Sequence, residues 1–64
     1  MEFRIQTERE KDGRWIAEVP ELAGVLAYGD SKERAVARAT ALALQVVADS
    51  LENGELEPLK PFDR

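Results

Sequence analysis

The sequence predicts an α+β domain of two layers, in which the order β-β-β-α-β gives an antiparallel sheet covered on one face by a single long helix. Two periodicities predict this fold class. Before residue 30, apolar and polar residues alternate, as they do in half-buried strands. Over residues 31–53, apolar residues instead recur at steps of three and four, as they do on one face of a helix. We expect this helix face to pack on the sheet.

The apolar face of the predicted helix is broad. Its members are Ala35, Val36, Ala39, Leu42, Ala43, Val46, Val47 and Leu51. Because they lie three or four residues apart, they form one stripe that a protein core normally covers. The polar positions expected to face water are Glu33, Arg34, Arg38, Gln45, Asp49 and Glu52.

The first two strands form a hairpin whose register follows from the side-chain pattern. Alternation begins at Phe3, a second strand spans residues 15–19, and Asp12 and Gly13 between them are typical of a turn. A two-residue turn would set apolar residues opposite polar ones, whereas a three-residue loop at 11–13 sets Thr7 opposite Ala17. We therefore predict the three-residue loop, with Gly13 at positive φ. The shared inner face then holds Phe3, Ile5, Trp15, Ala17 and Val19.

This register places Ile16 on the outer face of the sheet, among charged residues. A single exposed isoleucine is ordinary on a protein surface. Alternatively, another subunit covers this face. The large aromatic residues Trp15 and Tyr28 leave a similar choice open, because aromatic side chains dominate both cores and interfaces.

The rest of the chain supplies a short third strand, the helix and a short edge strand. Pro20 ends the second strand, and a third strand spans residues 25–28. Either Asp30 or Ser31 serves as the helix N-cap, and Gly54 takes the left-handed position after the helix. Residues 55–57 are expected to add a short edge strand. Residues 1–57 thus form one domain.

Residues 58–64 form a proline-containing tail after this domain. We expect its Leu59 and Phe62 to pack on the domain or on a neighbouring subunit.

Composition limits the function more than it identifies it. The chain has 64 residues with neither cysteine nor histidine, which excludes disulfides and zinc sites of the usual kind. A chain this short buries only about 60% of its unfolded surface, so we expect a dimer or tetramer. The net charge of −4 argues against broad phosphate binding. Six arginines with one asparagine favour a heat-adapted source.

Neither catalysis nor membrane insertion is expected. Asp12, Glu18 and Asp30 lie in different parts of the predicted domain, so we expect no enzyme activity, no metal and no cofactor. The chain opens without an apolar signal sequence, and no apolar run reaches membrane-spanning length. We therefore expect a cytoplasmic protein.

The charges along the helix oppose its dipole. Lys32, Arg34 and Arg38 lie in the first two turns, whereas Asp49 and Glu52 lie in the last turns. Ion pairs with Glu33 or with strand carboxylates would explain the basic residues. Contact with an acidic surface of another subunit, or with RNA phosphate, is the functional alternative.

Three motifs in this order resemble the HicB-like antitoxin family. They are Asp12-Gly13, the stretch WIAEVPELAG at residues 15–24, and GDS at residues 29–31 followed by Glu33 and Ala35. The resemblance covers residues 3–57. It implies a partial ribonuclease-H-like fold, and binding to a HicA-type toxin, a messenger-RNA-degrading ribonuclease of double-stranded-RNA-binding-domain-like fold. Many members also carry a C-terminal DNA-binding segment, for which the residues after Gly54 are too few, so DNA binding is not expected.

The resemblance implies a protein-binding module that neutralises its toxin by direct contact. The alternative is a solitary domain of the same fold that self-associates and acts as an adaptor, without toxin or catalysis. A domain that binds RNA or DNA fits the acidic balance least. The residues expected at a partner or subunit interface are Trp15, Ile16, Tyr28, Arg34, Arg38, Leu59 and Phe62.

Overall fold

The computed structural model describes residues 3–56 of the chain. Three strands precede one helix: β1 (Gln6–Arg9), β2 (Trp15–Glu18), β3 (Leu26–Gly29) and α1 (Lys32–Glu52). The strands pair antiparallel in the order β1-β2-β3. This β-β-β-α arrangement confirms the α+β fold class.

The register of the first hairpin is as predicted. Thr7 pairs with Ala17, and the Glu10 backbone N–H donates to the Arg14 carbonyl at 2.7 Å, which closes a loop of residues 11–13. Gly13 has φ +93°, a conformation that glycine adopts without steric cost. Inward and outward residues therefore alternate along β1 and β2 as the apolar pattern requires.

The first strand begins later than the alternation from Phe3 predicts, because the ladder stops at Gln6 opposite Glu18. Continuing the pairing would place Arg4 opposite Pro20, which has no N–H to donate. Arg4 instead donates from its backbone N–H and its guanidinium to the Glu21 carboxylate, at 3.4 and 3.0 Å.

The third strand passes directly under the start of the helix. It is shifted by one residue from the prediction and includes Gly29, which is buried. A Cβ on Gly29 would lie 2.5 Å from the Ala35 backbone nitrogen, so only glycine allows this approach of strand and helix. Ser31 is the N-cap, since its hydroxyl accepts from the Arg34 backbone N–H at 3.1 Å. Asp30 is therefore not the cap.

The helix ends at its predicted position, with Asn53 as C-cap and Gly54 at φ +73°. The Glu55 N–H then donates to the Ser50 carbonyl at 2.8 Å, which folds the chain back on the last helical turn. The edge strand expected from residue 55 is therefore wrong for Glu55 and Leu56. Its third member, residue 57, and the tail with Leu59 and Phe62 lie outside the described residues.

The core between helix and sheet is made of small side chains. Its buried members are Ala17, Val19, Val25, Ala35 and Ala39. The two that belong to the helix lie in its first half. A helix of 21 residues is about 31 Å long, whereas four-residue strands span about 13 Å. The second half of α1 therefore extends beyond the sheet, and none of its residues is buried.

Candidate protein-binding surfaces

The outer face of the sheet, opposite the helix, carries three neighbouring apolar side chains. Ile16 on β2 lies directly across from Tyr28 on β3, and Leu26 lies two residues before Tyr28 on β3, opposite Glu18. Ile16 is half-buried, while Leu26 and Tyr28 are each 40% exposed. We call Ile16, Leu26 and Tyr28 the outer-face patch. Its members come together because the period of a strand sends alternate residues to the same face.

Charged side chains border the outer-face patch. Glu8 on β1 lies opposite Ile16, and Glu18 on β2 lies opposite Leu26. The Arg14 guanidinium lies over the Tyr28 ring, 4.9 Å from its centroid, in a cation–π contact that covers one side of the ring. The patch therefore combines an apolar centre with two exposed carboxylates and one guanidinium.

Trp15 lies on the other face of the sheet. It is half-buried and packs against the core cluster of Ala17, Ala35 and Ala39, while the Lys32 ammonium lies 6.0 Å from its ring centroid. The sequence left core packing and an interface role open for Trp15, and the structure shows it partly covered by the helix. It does not lie with Ile16 and Tyr28.

The two candidate arginines have partners other than those expected. Arg34 pairs with Asp30 at 3.5 Å, one helical turn earlier, and both side chains are mostly exposed. Arg38 donates from Nη1 to the Tyr28 carbonyl at 3.0 Å. Neither bonds Glu33 or a strand carboxylate.

The bond from Arg38 blocks an unpaired edge of the sheet. The Val19 N–H donates to the Val25 carbonyl, so the backbone N–H and C=O of Val25 point towards β2. Because this direction alternates along a strand, those of Ala27 and Gly29 also point towards β2. The Tyr28 carbonyl therefore points to the free edge of β3, where Arg38 occupies it. A charged side chain placed this way discourages another strand from pairing with the edge.

A second apolar stripe lies on the exposed side of α1. Its members, which we call the helix seam, are Ala37, Ala41, Leu44, Ala48 and Leu51. All five are exposed, Leu44 at 65% and Leu51 at 38%. The sequence placed Leu51 in the stripe that faces the core and did not identify the seam. The signal was present, because no charged residue lies between Arg38 and Asp49.

The tip of the hairpin is held by a local ion pair. Arg14 donates to Asp12 from its backbone N–H at 3.1 Å and from its guanidinium at 2.9 Å. These bonds, the backbone one above all, hold the pKa of Asp12 below its ordinary value. The pKa of Glu21 is lowered likewise, first by its own backbone N–H and then by the Arg4 guanidinium. The Asp12 side chain is 55% exposed and that of Glu21 30% exposed, and the contacts organise loops rather than a reactive centre.

Within residues 3–56, no group of three or more acidic side chains is arranged to hold a metal ion. Over the same residues, no helix combines the length and apolar character needed to cross a membrane. The features that stand out are therefore the outer-face patch and the helix seam, which lie on opposite sides of the domain.

Comparison of the chain with family models, with curated proteins and with solved structures finds no match.

Proposed function

We propose that this domain is a protein-binding module of the HicB-like antitoxin type, which neutralises a small HicA-type toxin by direct contact. The observation that carries the proposal is the outer-face patch. Ile16, Leu26 and Tyr28 form a contiguous apolar surface on a domain whose other sheet face is already covered by its own helix. Exposed apolar patches rimmed by polar residues mark protein-binding sites.

The charges around the patch favour a basic partner. Glu8 and Glu18 lie beside the apolar residues, and the whole chain carries a net charge of −4. A toxin that binds messenger RNA needs a basic surface to contact the phosphates. Opposite charges speed the encounter of two proteins and fix their relative orientation. The same carboxylates would repel RNA itself, which is why a protein partner fits this face better than a nucleic acid.

Tyr28 is the expected anchor of the contact. Tyrosine is enriched among residues that dominate binding energy, and Tyr28 lies directly across from Ile16. The Arg14 guanidinium, 4.9 Å from the ring centroid, reduces the freedom of the ring before binding. A partner would therefore meet a side chain that is already ordered.

The experiment is co-expression of the chain with the adjacent small open reading frame, followed by purification and an RNA-degradation assay. We expect a stable complex in which RNA degradation is silenced. Ile16→Glu is expected to release the toxin, because it puts a charge into the centre of the patch. Asn53→Glu adds the same charge at the exposed end of the helix, away from both the outer-face patch and the helix seam, and we expect it to retain the toxin. Absence of a complex, or equal capture by Ile16→Glu, would contradict the proposal.

The second candidate is a solitary domain of the same fold that self-associates and serves as an adaptor. The exposed leucines of the helix seam, Leu44 and Leu51, favour self-association without requiring a toxin. In both candidates the domain is cytoplasmic, non-catalytic and a homo-oligomer. Silencing of a ribonuclease separates the two, since only the first candidate produces it.

A further inference from the structure

We propose that two copies of this domain pair through the helix seam, with their α1 helices antiparallel. The seam residues Ala37, Ala41, Leu44, Ala48 and Leu51 are spaced by four, three, four and three residues. This is the a/d repeat along which two helices pack. At 100° per residue the seam lies on the side of α1 roughly opposite Ala35 and Ala39, which pack on the sheet. Among residues 3–56 this surface is exposed, so a second helix can pack on it.

The sizes of the seam residues specify the antiparallel orientation. In that orientation, Leu44 of one copy faces Ala48 of the other, and Ala41 faces Leu51. Each of the four layers then combines one large and one small side chain, which gives evenly filled layers. A parallel pair would instead stack Leu44 on Leu44 and Ala41 on Ala41, leaving overfilled and underfilled layers in alternation. It would also bring the two Arg34 side chains together.

The charges along the helix fit the same arrangement. Antiparallel pairing places Arg38 of each copy beside Glu52 of the other, on the flank of the seam. The bond from Arg38 to the Tyr28 carbonyl uses Nη1, and the guanidinium retains further donors. The basic start and the acidic end of α1 are unfavourable in an isolated helix. In the pair, Arg38 of one helix lies against Glu52 of the other, so this one basic residue and this one acidic residue stabilise the pair.

The second copy also supplies what this small domain lacks. No buried core residue is larger than valine within residues 3–56, and the second half of α1 extends beyond the sheet. In the proposed pair, residues 40–52 of the two helices overlap over about 20 Å, along the half of each helix that extends beyond the sheet. Alanines at the seam allow the helix axes to approach closely, to about 8 Å. The seam is uncharged and self-complementary about a midpoint near Val46, so a second copy fits it.

The first test is the mass in solution at micromolar concentration, by analytical ultracentrifugation. We expect a dimer of twice 7.2 kDa, or a multiple of it, for the wild-type chain. Leu44→Glu is expected to halve the mass, because it places a charge in two of the four layers. Ala23→Glu, with the same charge change in a loop, is the matched control and should not alter the mass. A wild-type monomer, or a Leu44→Glu variant of unchanged mass, would overturn the proposal.

The second test measures orientation and does not depend on a disruptive variant. Glu33→Cys introduces the one cysteine of the chain, at an exposed site in the first helical turn, and a nitroxide label is attached there. In the antiparallel pair the two labels are separated by about 39 Å along the helices, whereas a parallel pair keeps them within about 20 Å. A distance near 40 Å between the labels, measured by pulsed electron–electron double resonance, supports the proposal. A distance within about 20 Å contradicts it. Neither test uses the toxin, so failure of the toxin-binding proposal would leave both results intact.

Discussion

Substitution of Gly29 by alanine tests the closest approach between sheet and helix. Gly29 is buried at the end of β3. Its φ is not positive, so the destabilisation expected from Gly29→Ala is steric rather than conformational. The new Cβ would lie 2.5 Å from the Ala35 nitrogen, 3.0 Å from the Ala35 Cα and 3.0 Å from the Arg34 carbonyl carbon. All three are backbone atoms, which no rotamer change can move.

Relief therefore requires the helix to move away from the sheet by about 1 Å. A gap of that size forfeits a quarter to a half of the dispersion contact of the atoms on either side. The buried centre of the contact between helix and sheet is Ala35 and Ala39 packed against Ala17, whose methyl groups are too short to fill the gap. Overpacking typically costs 1–3 kcal/mol, and loss of glycine freedom in the unfolded chain returns about 0.4–1 kcal/mol. We expect a net loss of about 1–2 kcal/mol.

The assay is urea denaturation, in which the free energy of unfolding should fall while the slope with denaturant stays constant. Gly29→Ala combined with Ala35→Gly should show no rescue, because the clash is with the helix backbone and not with the Ala35 methyl group. A Gly29→Ala variant as stable as the wild type, or more stable, would refute the close packing of β3 on α1.

Three further outcomes are expected, two from the described contacts and one from the proposed pair. Ser31→Ala should lower the free energy of unfolding by about 1 kcal/mol, because the helix loses its N-cap hydroxyl; a change below about 0.3 kcal/mol would contradict this. The free energy of unfolding should fall as the pH drops below about 4, because the pKa values of Asp12 and Glu21 are lowered in the folded state and the unfolded chain therefore takes up protons first. The double variant Asp12→Asn, Glu21→Gln should flatten this dependence, measured by denaturation at several pH values. Arg38→Glu should weaken the dimer about fivefold in sedimentation, and adding Glu52→Arg should restore it.

The hairpin shows what the sequence determines well. The register of Thr7 against Ala17 follows from alternation alone, because a slip by one residue would turn every apolar side chain outwards. The start of β1 does not follow from alternation, which continues to Phe3. There the missing N–H of Pro20 ends the ladder first, an effect that appears only once the register is known.

The helix shows where pattern reasoning fails. Apolar residues at helical spacing occur on two sides of α1, and spacing alone assigned Leu51, a member of the helix seam, to the stripe that packs on the sheet. The position of the seam relative to the sheet depends on which turn of the helix contacts Gly29. That contact is tertiary. The partner of Arg38 is also tertiary, because a backbone carbonyl at a sheet edge leaves no mark in the sequence.

The most direct test of the proposed function is whether the purified domain inhibits the ribonuclease expected from the adjacent small open reading frame. Wild-type protein titrated into a messenger-RNA degradation assay should silence the ribonuclease at an equimolar ratio. The control Asn53→Glu should match the wild type, and Ile16→Glu should fail at tenfold excess. That result would place toxin neutralisation on the outer-face patch. Undiminished RNA degradation at tenfold excess of the wild-type domain would contradict the antitoxin account, and would leave self-association through the helix seam as the activity of this domain.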